Sequence, residues 1–81
     1  ARSSRNKGYL RTLGAHLRKL RIRSGKGIKK FAYEAGISPS LLTNIEHGHS
    51  AATVSTLIRL AAALDVHPKK LLDFEFEGDL D

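Results

Sequence analysis

The amino-acid sequence predicts an all-α fold of five short helices followed by a short, extended acidic tail. Three observations carry this. Apolar residues recur at intervals of three and four through residues 10–20, 28–35, 41–45 and 57–64. Residues that open and close helices stand at the borders of those stretches: Ser38, Pro39, Thr53 and Pro68 in front, Gly25, Gly36, Gly48 and Asp65 behind. Beyond Leu72 the period changes to two, in the alternation Leu72-Asp73-Phe74-Glu75-Phe76-Glu77.

Taken in order, the first helix is expected over about residues 9–24, with Leu10, Leu13, Leu17 and Leu20 on its buried stripe and Gly25 at its end. Ile28, Phe31, Ala32 and Ala35 line one face of the second helix, which Gly36 stops because glycine takes the left-handed conformation without a Cβ clash. Ser38 is a good N-cap. Pro39 suits the first helical position, where its missing N–H has no partner to lose. The third helix therefore runs from Pro39 to Gly48, burying Leu42 and Ile45 with Leu41 partly covered. The fourth is capped by Thr53, buries Leu57, Leu60, Ala61 and Leu64, and closes at Asp65. The fifth opens at Pro68 and ends near Leu72, packing Leu71 and Leu72 with Val66.

The second and third helices, joined by a tight glycine pivot, form a pair of the kind that presents a helix to the DNA major groove. The outward face of the third helix is Pro39, Ser40, Thr43, Asn44 and His47, which is short, polar and uncharged. Such a face suits base edges. Asparagine donates to and accepts from one adenine, hydroxyls pair flexibly, and the threonine methyl rests on a thymine methyl. The plainer reading, solvated residues of an ordinary αα-hairpin, is opposed by the charge distribution. Residues 1–30 hold 11 basic side chains and no acid, whereas residues 31–81 hold 3 basic and all 8 acidic ones. A pI near 10.1 with the positive charge gathered in one region points to a polyanionic partner. The basic stretch lacks the aromatic or long apolar face of a membrane-surface helix, so nucleic acid is the expected partner and membrane is not.

Eighty-one residues make one domain with a small core, for which sharing with a second copy is an advantage. The chain has no cysteine, which excludes disulfides and thiolate metal sites and accords with a cytoplasmic setting. Four histidines, among them His47 and His49, lack the further ligands a metal site needs, so neither metal nor cofactor is expected. Serine, histidine and aspartate occur without a nucleophile elbow around them, and no enzyme activity is expected.

Over residues 14–72 the chain resembles the phage repressor and Cro-like (XRE-type) helix-turn-helix family. The resemblance rests on Gly14, Leu17, Leu20 and Arg21; on Phe31, Ala32, Ala35, Gly36, Ile37 and Ser38; on Ser40, Thr43, Ile45, Glu46 and Gly48; and on Thr56, Leu57, Leu60, Ala61, Ala63, Leu64 and Val66. It implies a compact five-helix, lambda-repressor-like domain over residues 9–72 that binds double-stranded operator DNA as a homodimer. Pro39, Ser40, Thr43 and Asn44 would contact bases. Arg21 and Glu46 correspond to the family's internal ion pair, a structural role. Many members carry Gln where Ile28 stands, so outer base reading is in question here. Phosphate contacts are expected from Lys26, Lys29, Lys30, His47, His49 and Ser50.

Residues 1–8, with Arg2, Arg5 and Lys7, are expected to form a basic, flexible arm. For residues 73–81 two arrangements are open: an acidic tail placing Leu72, Phe74 and Phe76 against a partner subunit, or phenylalanines that fold back on their own domain. The first is preferred. The expected function is a sequence-specific DNA-binding transcriptional regulator, a repressor acting on a pseudo-palindromic operator. Two alternatives compete: an antitoxin-like or adaptor protein with a second protein partner, and a nonspecific nucleic-acid binder.

Overall fold

The computed structural model describes residues 2–75 of the chain, with side chains from residue 8 onward. Four α-helices are formed: α1 (Arg2–Arg23), α2 (Ile28–Ala35), α3 (Pro39–Glu46) and α4 (Val54–Leu64), followed by a 3-10 helix at Pro68–Leu72. The expected punctuation operates as written. The Gly36 backbone is left-handed at φ 73° and its N–H closes onto the Tyr33 carbonyl, while Ile37 N–H closes onto Ala32. Ser38 Oγ accepts from the Leu41 N–H and Thr53 Oγ1 from the Thr56 N–H. Asp65, at φ 57°, is the left-handed terminator of α4.

Three expectations are corrected. The fifth element is a single 3-10 turn and not an α-helix. Lys70 N–H reaches His67 and Asp73 N–H reaches Lys70, both three residues back, and His67 Nδ1 accepts from the Lys69 N–H. The five residues Pro68–Leu72 are too few to nucleate an α-helix. Leu71 is fully buried there, but Leu72 is 58% exposed and does not join the core. Helix α1 begins at Arg2 rather than near residue 9, so the residues read as an arm continue the first helix.

The tail's described part folds back. The Phe74 N–H closes onto the Leu72 carbonyl, and the half-buried Phe74 ring lies tilted against the His16 ring of α1, centroids 5.5 Å apart. His16 Nε2 in turn donates to the Lys70 carbonyl at 2.8 Å. Phe74 is therefore engaged with its own domain, and no strand forms among residues 73–75. Phe76 lies outside the described residues.

Every element supplies the core. Leu17 of α1, Phe31 of α2, Leu42 and Ile45 of α3, Leu60 of α4 and Leu71 of the 3-10 turn are fully enclosed. Burial of such side chains stabilises by about 1.5–3 kcal/mol each. Helix α1 passes closely over the end of α3, and the sequence makes room for it with Gly14. A methyl group built on Gly14 would strike the Ile45 carbonyl oxygen and stand 2.5 Å from that of Glu46. One turn beyond α3, Gly48 is left-handed at φ 77° and its missing Cβ would lie 2.8 Å from the Arg11 Cα. Gly14→Ala is expected to force the two helices apart and destabilise the domain by about 1–3 kcal/mol or more. Thermal melting followed by circular dichroism measures this, and an unchanged midpoint would contradict the tight crossing.

Candidate nucleic-acid interface

The reading face is built by helix geometry. Because Ser38 caps α3 and Pro39 starts it, the side chains of Pro39, Ser40 and Asn44 project outward and are exposed. Thr43 is half-buried, since its outer edge lies along a groove between α1 and α3. The loop after α3 is tied back to the same helix: the His49 and Ser50 N–H groups both donate to the Asn44 carbonyl, at 2.8 and 3.3 Å. His47 Nδ1 donates to the Thr43 carbonyl at 2.8 Å, and the exposed His47 and His49 rings stack at 5.9 Å with an interplanar angle of 26°. Ser50 is half-buried. The expected base face and the expected loop contacts therefore form one surface, centred on Asn44.

Helix α2 presents its start beside that surface. Gly27 caps it without a side-chain hydrogen bond, unlike the caps of α3 and α4, so its first backbone N–H groups have no side-chain acceptor. Lys29 and Lys30 are exposed here. A helix start of this kind, with its partial positive charge and adjacent ammonium groups, suits an anion.

Lys26 departs from expectation. Its Nζ lies 2.7 Å from Glu34 Oε1 and also donates to the Ala63 carbonyl, which links the α1–α2 turn to the end of α4. Reaching a phosphate would strip two acceptors of their donor, so in this structure the Lys26 ammonium is engaged in clamping the α1–α2 turn to the end of α4. The Lys26 hydrogen bond holds the Glu34 carboxyl below its ordinary pKa, with the charges of Lys26 and Lys30 adding to the effect.

Arg21 and Glu46 pair as the resemblance implies. Arg21 Nε donates to Glu46 Oε2 at 2.7 Å and Nη2 to Oε1 at 3.0 Å, while Nη1 donates to the Lys26 carbonyl at 2.9 Å. The residues are 8% and 7% exposed, so this two-toothed pair is screened from solvent and belongs to the framework.

Residues that sequence reasoning did not assign complete the picture. Arg18, Lys19 and Ile22 of α1 line the groove whose opposite wall is Thr43 and His47, with Ile28 of α2 beside them. Their signal in the sequence is helical phase: Arg18 lies one turn before Arg21, on the side of α1 that meets α3. Among the described residues no three histidine or acidic side chains converge as a metal site, and no helix is long and apolar enough to cross a membrane.

A polar, uncharged helix face held by a tight turn against a second helix, with cations at its margin, defines a helix-turn-helix DNA-binding domain. Comparison with known proteins agrees. The family described as "Helix-turn-helix domain" matches residues 12–73, and the chain belongs to the Cro-like (XRE-type) helix-turn-helix DNA-binding family, which is not an enzyme family. It is 38% identical over 64 residues to the HTH-type transcriptional regulator SlrR of Bacillus subtilis strain 168, covering 78% of this chain but 42% of SlrR. It is 30% identical over 67 residues to the control protein C.BamHI of Bacillus amyloliquefaciens, covering 82% of this chain and 83% of that protein. The restriction-modification controller protein C.AhdI from Aeromonas hydrophila superposes with a TM-score of 0.80 at 29% identity, covering 82% of this chain and 96% of that one. The clp gene regulator ClgR from C. glutamicum gives 0.72 at 27% identity, with coverage of 76% and 80%.

Glu46→Gln removes the charge that satisfies Arg21 and leaves a buried guanidinium half-paired. A loss of about 3–5 kcal/mol is expected from breaking such a pair. Urea unfolding at neutral pH measures it, and a wild-type midpoint would sink the structural assignment.

Proposed function

We propose that this protein is a sequence-specific double-stranded DNA-binding transcriptional regulator, a cytoplasmic repressor that binds a pseudo-palindromic operator as a homodimer. The observation that carries the proposal is the exposed, uncharged Pro39, Ser40 and Asn44 face with Thr43 at its edge, bordered by Lys29 and Lys30 at the start of α2. Asn44 reads an adenine edge, and Ser40 and Thr43 pair with its neighbours. Lys29, Lys30, the start of α2 and the loop residues His47, His49 and Ser50 hold the sugar-phosphate backbone and set the register. SlrR, C.BamHI, C.AhdI and ClgR are regulators or controllers by name, which supports this reading.

Selection from a random duplex library at physiological salt tests it. A pseudo-palindrome with half-sites about 34 Å apart is expected. Asn44→Ala should lose discrimination worth about 1–3 kcal/mol at one base pair per half-site. Lys29→Ala should weaken all sequences alike and make the salt dependence of binding shallower by about one unit. Equal affinity for enriched and scrambled duplexes overturns the proposal.

Dimerisation is supported by apolar surface that the single chain leaves open. Val54 and Ile58 share one face of α4, one turn apart, at 72% and 50% exposure, and Leu72 remains exposed after the 3-10 turn. We place the two-fold contact on α4 together with Leu72, since Phe74 is engaged with His16. Ile58→Glu is then expected to yield monomers in sedimentation equilibrium with an unchanged helical spectrum; a persistent dimer rules this face out.

A further inference from the structure

We infer that Ile28, together with Ile22 and the Thr43 methyl, reads the 5-methyl group of a thymine at the outer edge of each half-site. The inference rests on the DNA-reading proposal above and adds a base contact supplied by α1 and α2, with the Thr43 methyl at the edge of the α3 face completing it. Ile22 lies within the most basic part of the chain and is 53% exposed. Ile28 is half-buried: part of it packs against the core, and the rest lines the same groove as Ile22 and Thr43. Two isoleucines and a threonine thus line one open groove at the flank of α3, together with Arg18 and Lys19 of α1, His47 and the Arg21–Glu46 pair.

The occupant follows from the chemistry. Guanidinium and ammonium groups at the margin call for a polyanion, and Arg18 is placed to hold a phosphate. Within this otherwise polar groove Ile22, Ile28 and the Thr43 methyl form an apolar strip, which an apolar group covers better than a charged oxygen does. On the major-groove edges of DNA the thymine methyl is the one apolar group, and covering it removes water from both surfaces. Ile28 opens α2, the helix before α3, so on this proposal its contact falls outside the bases assigned to Asn44. Ile28 therefore exchanges one polar contact for an apolar one and does not abandon base reading.

Uracil substitution tests this directly, because it removes only the methyl group. In duplexes enriched by the library selection, each thymine is replaced in turn by deoxyuridine and binding is measured for the wild-type protein, Ile28→Ala and Ile22→Ala. One thymine per half-site, outside the Asn44 contact, is expected to lose about fourfold in affinity on replacement, the effect of one buried methyl-sized group. That penalty should vanish in Ile28→Ala and shrink in Ile22→Ala, a substitution at an exposed position that leaves melting unchanged. Thymine and uracil bound alike at every outer position would overturn the contact. So would an Ile28→Ala protein that binds every sequence more weakly while keeping the uracil penalty, the result expected if the isoleucines touch deoxyribose. Failure to enrich any duplex would instead overturn the DNA-reading proposal itself, and this contact with it.

Discussion

The close passage of α1 over the end of α3 is the constraint on which the remaining geometry depends. Gly14 has no side chain because the carbonyls of Ile45 and Glu46 occupy the space, and Gly48 has none because Arg11 does. At that separation Arg21 reaches across and pairs with Glu46 through two hydrogen bonds. A pair this well enclosed contributes little net attraction over a well-packed apolar substitute, but losing either partner is costly, so it penalises any other setting of α1 on α3. Helix α3 is thereby held at both ends: by Ser38 and the Gly36 turn at its start, and by Arg21 and Gly48 at its finish.

That arrangement divides the basic residues into two groups with different tasks. Arg21 and Lys26 belong to the stretch with the highest positive charge, yet both are engaged within the domain, Arg21 with buried Glu46, Lys26 with exposed Glu34, and each with a backbone carbonyl. Lysines 29 and 30 stay in water at the start of α2, and Arg18 and Lys19 border the α1–α3 groove. Charge thus surrounds the α3 face without entering it. Under the proposed function this division separates phosphate contacts, which orient a protein on the duplex and carry no sequence information, from a neutral face that tests base edges.

The small core makes such economy of parts necessary. Each helix and the 3-10 turn contributes at least one fully enclosed side chain, and the end of the described chain adds Phe74 against His16. His16 links two levels of the structure, because its Nε2 holds the Lys70 carbonyl of the 3-10 turn while its ring faces Phe74. The segment after the turn is thereby fastened to α1, while Val54 and Ile58 of α4 and Leu72 stay exposed.

The sequence by itself determined the α-helices after residue 25, their caps and most of the core, because those features depend on residues close together in the chain. Gly36 and Asp65 sit in left-handed geometry, Ser38 and Thr53 cap, and Phe31, Leu42, Ile45 and Leu60 are enclosed, all as spacing and local chemistry dictate. The Arg21–Glu46 pair was legible through the family pattern, and the exposure of Pro39, Ser40 and Asn44 through helical phase. Only the tertiary structure decided where long side chains end. Lys26 meets Ala63 across 37 residues, and His16 meets Lys70 across 54; neither partner is visible in local periodicity. The same holds for the groove that brings Ile22, Ile28 and Thr43 together from three helices. Apolar patterning states that a residue is covered, but which neighbour covers it follows from how the helices cross.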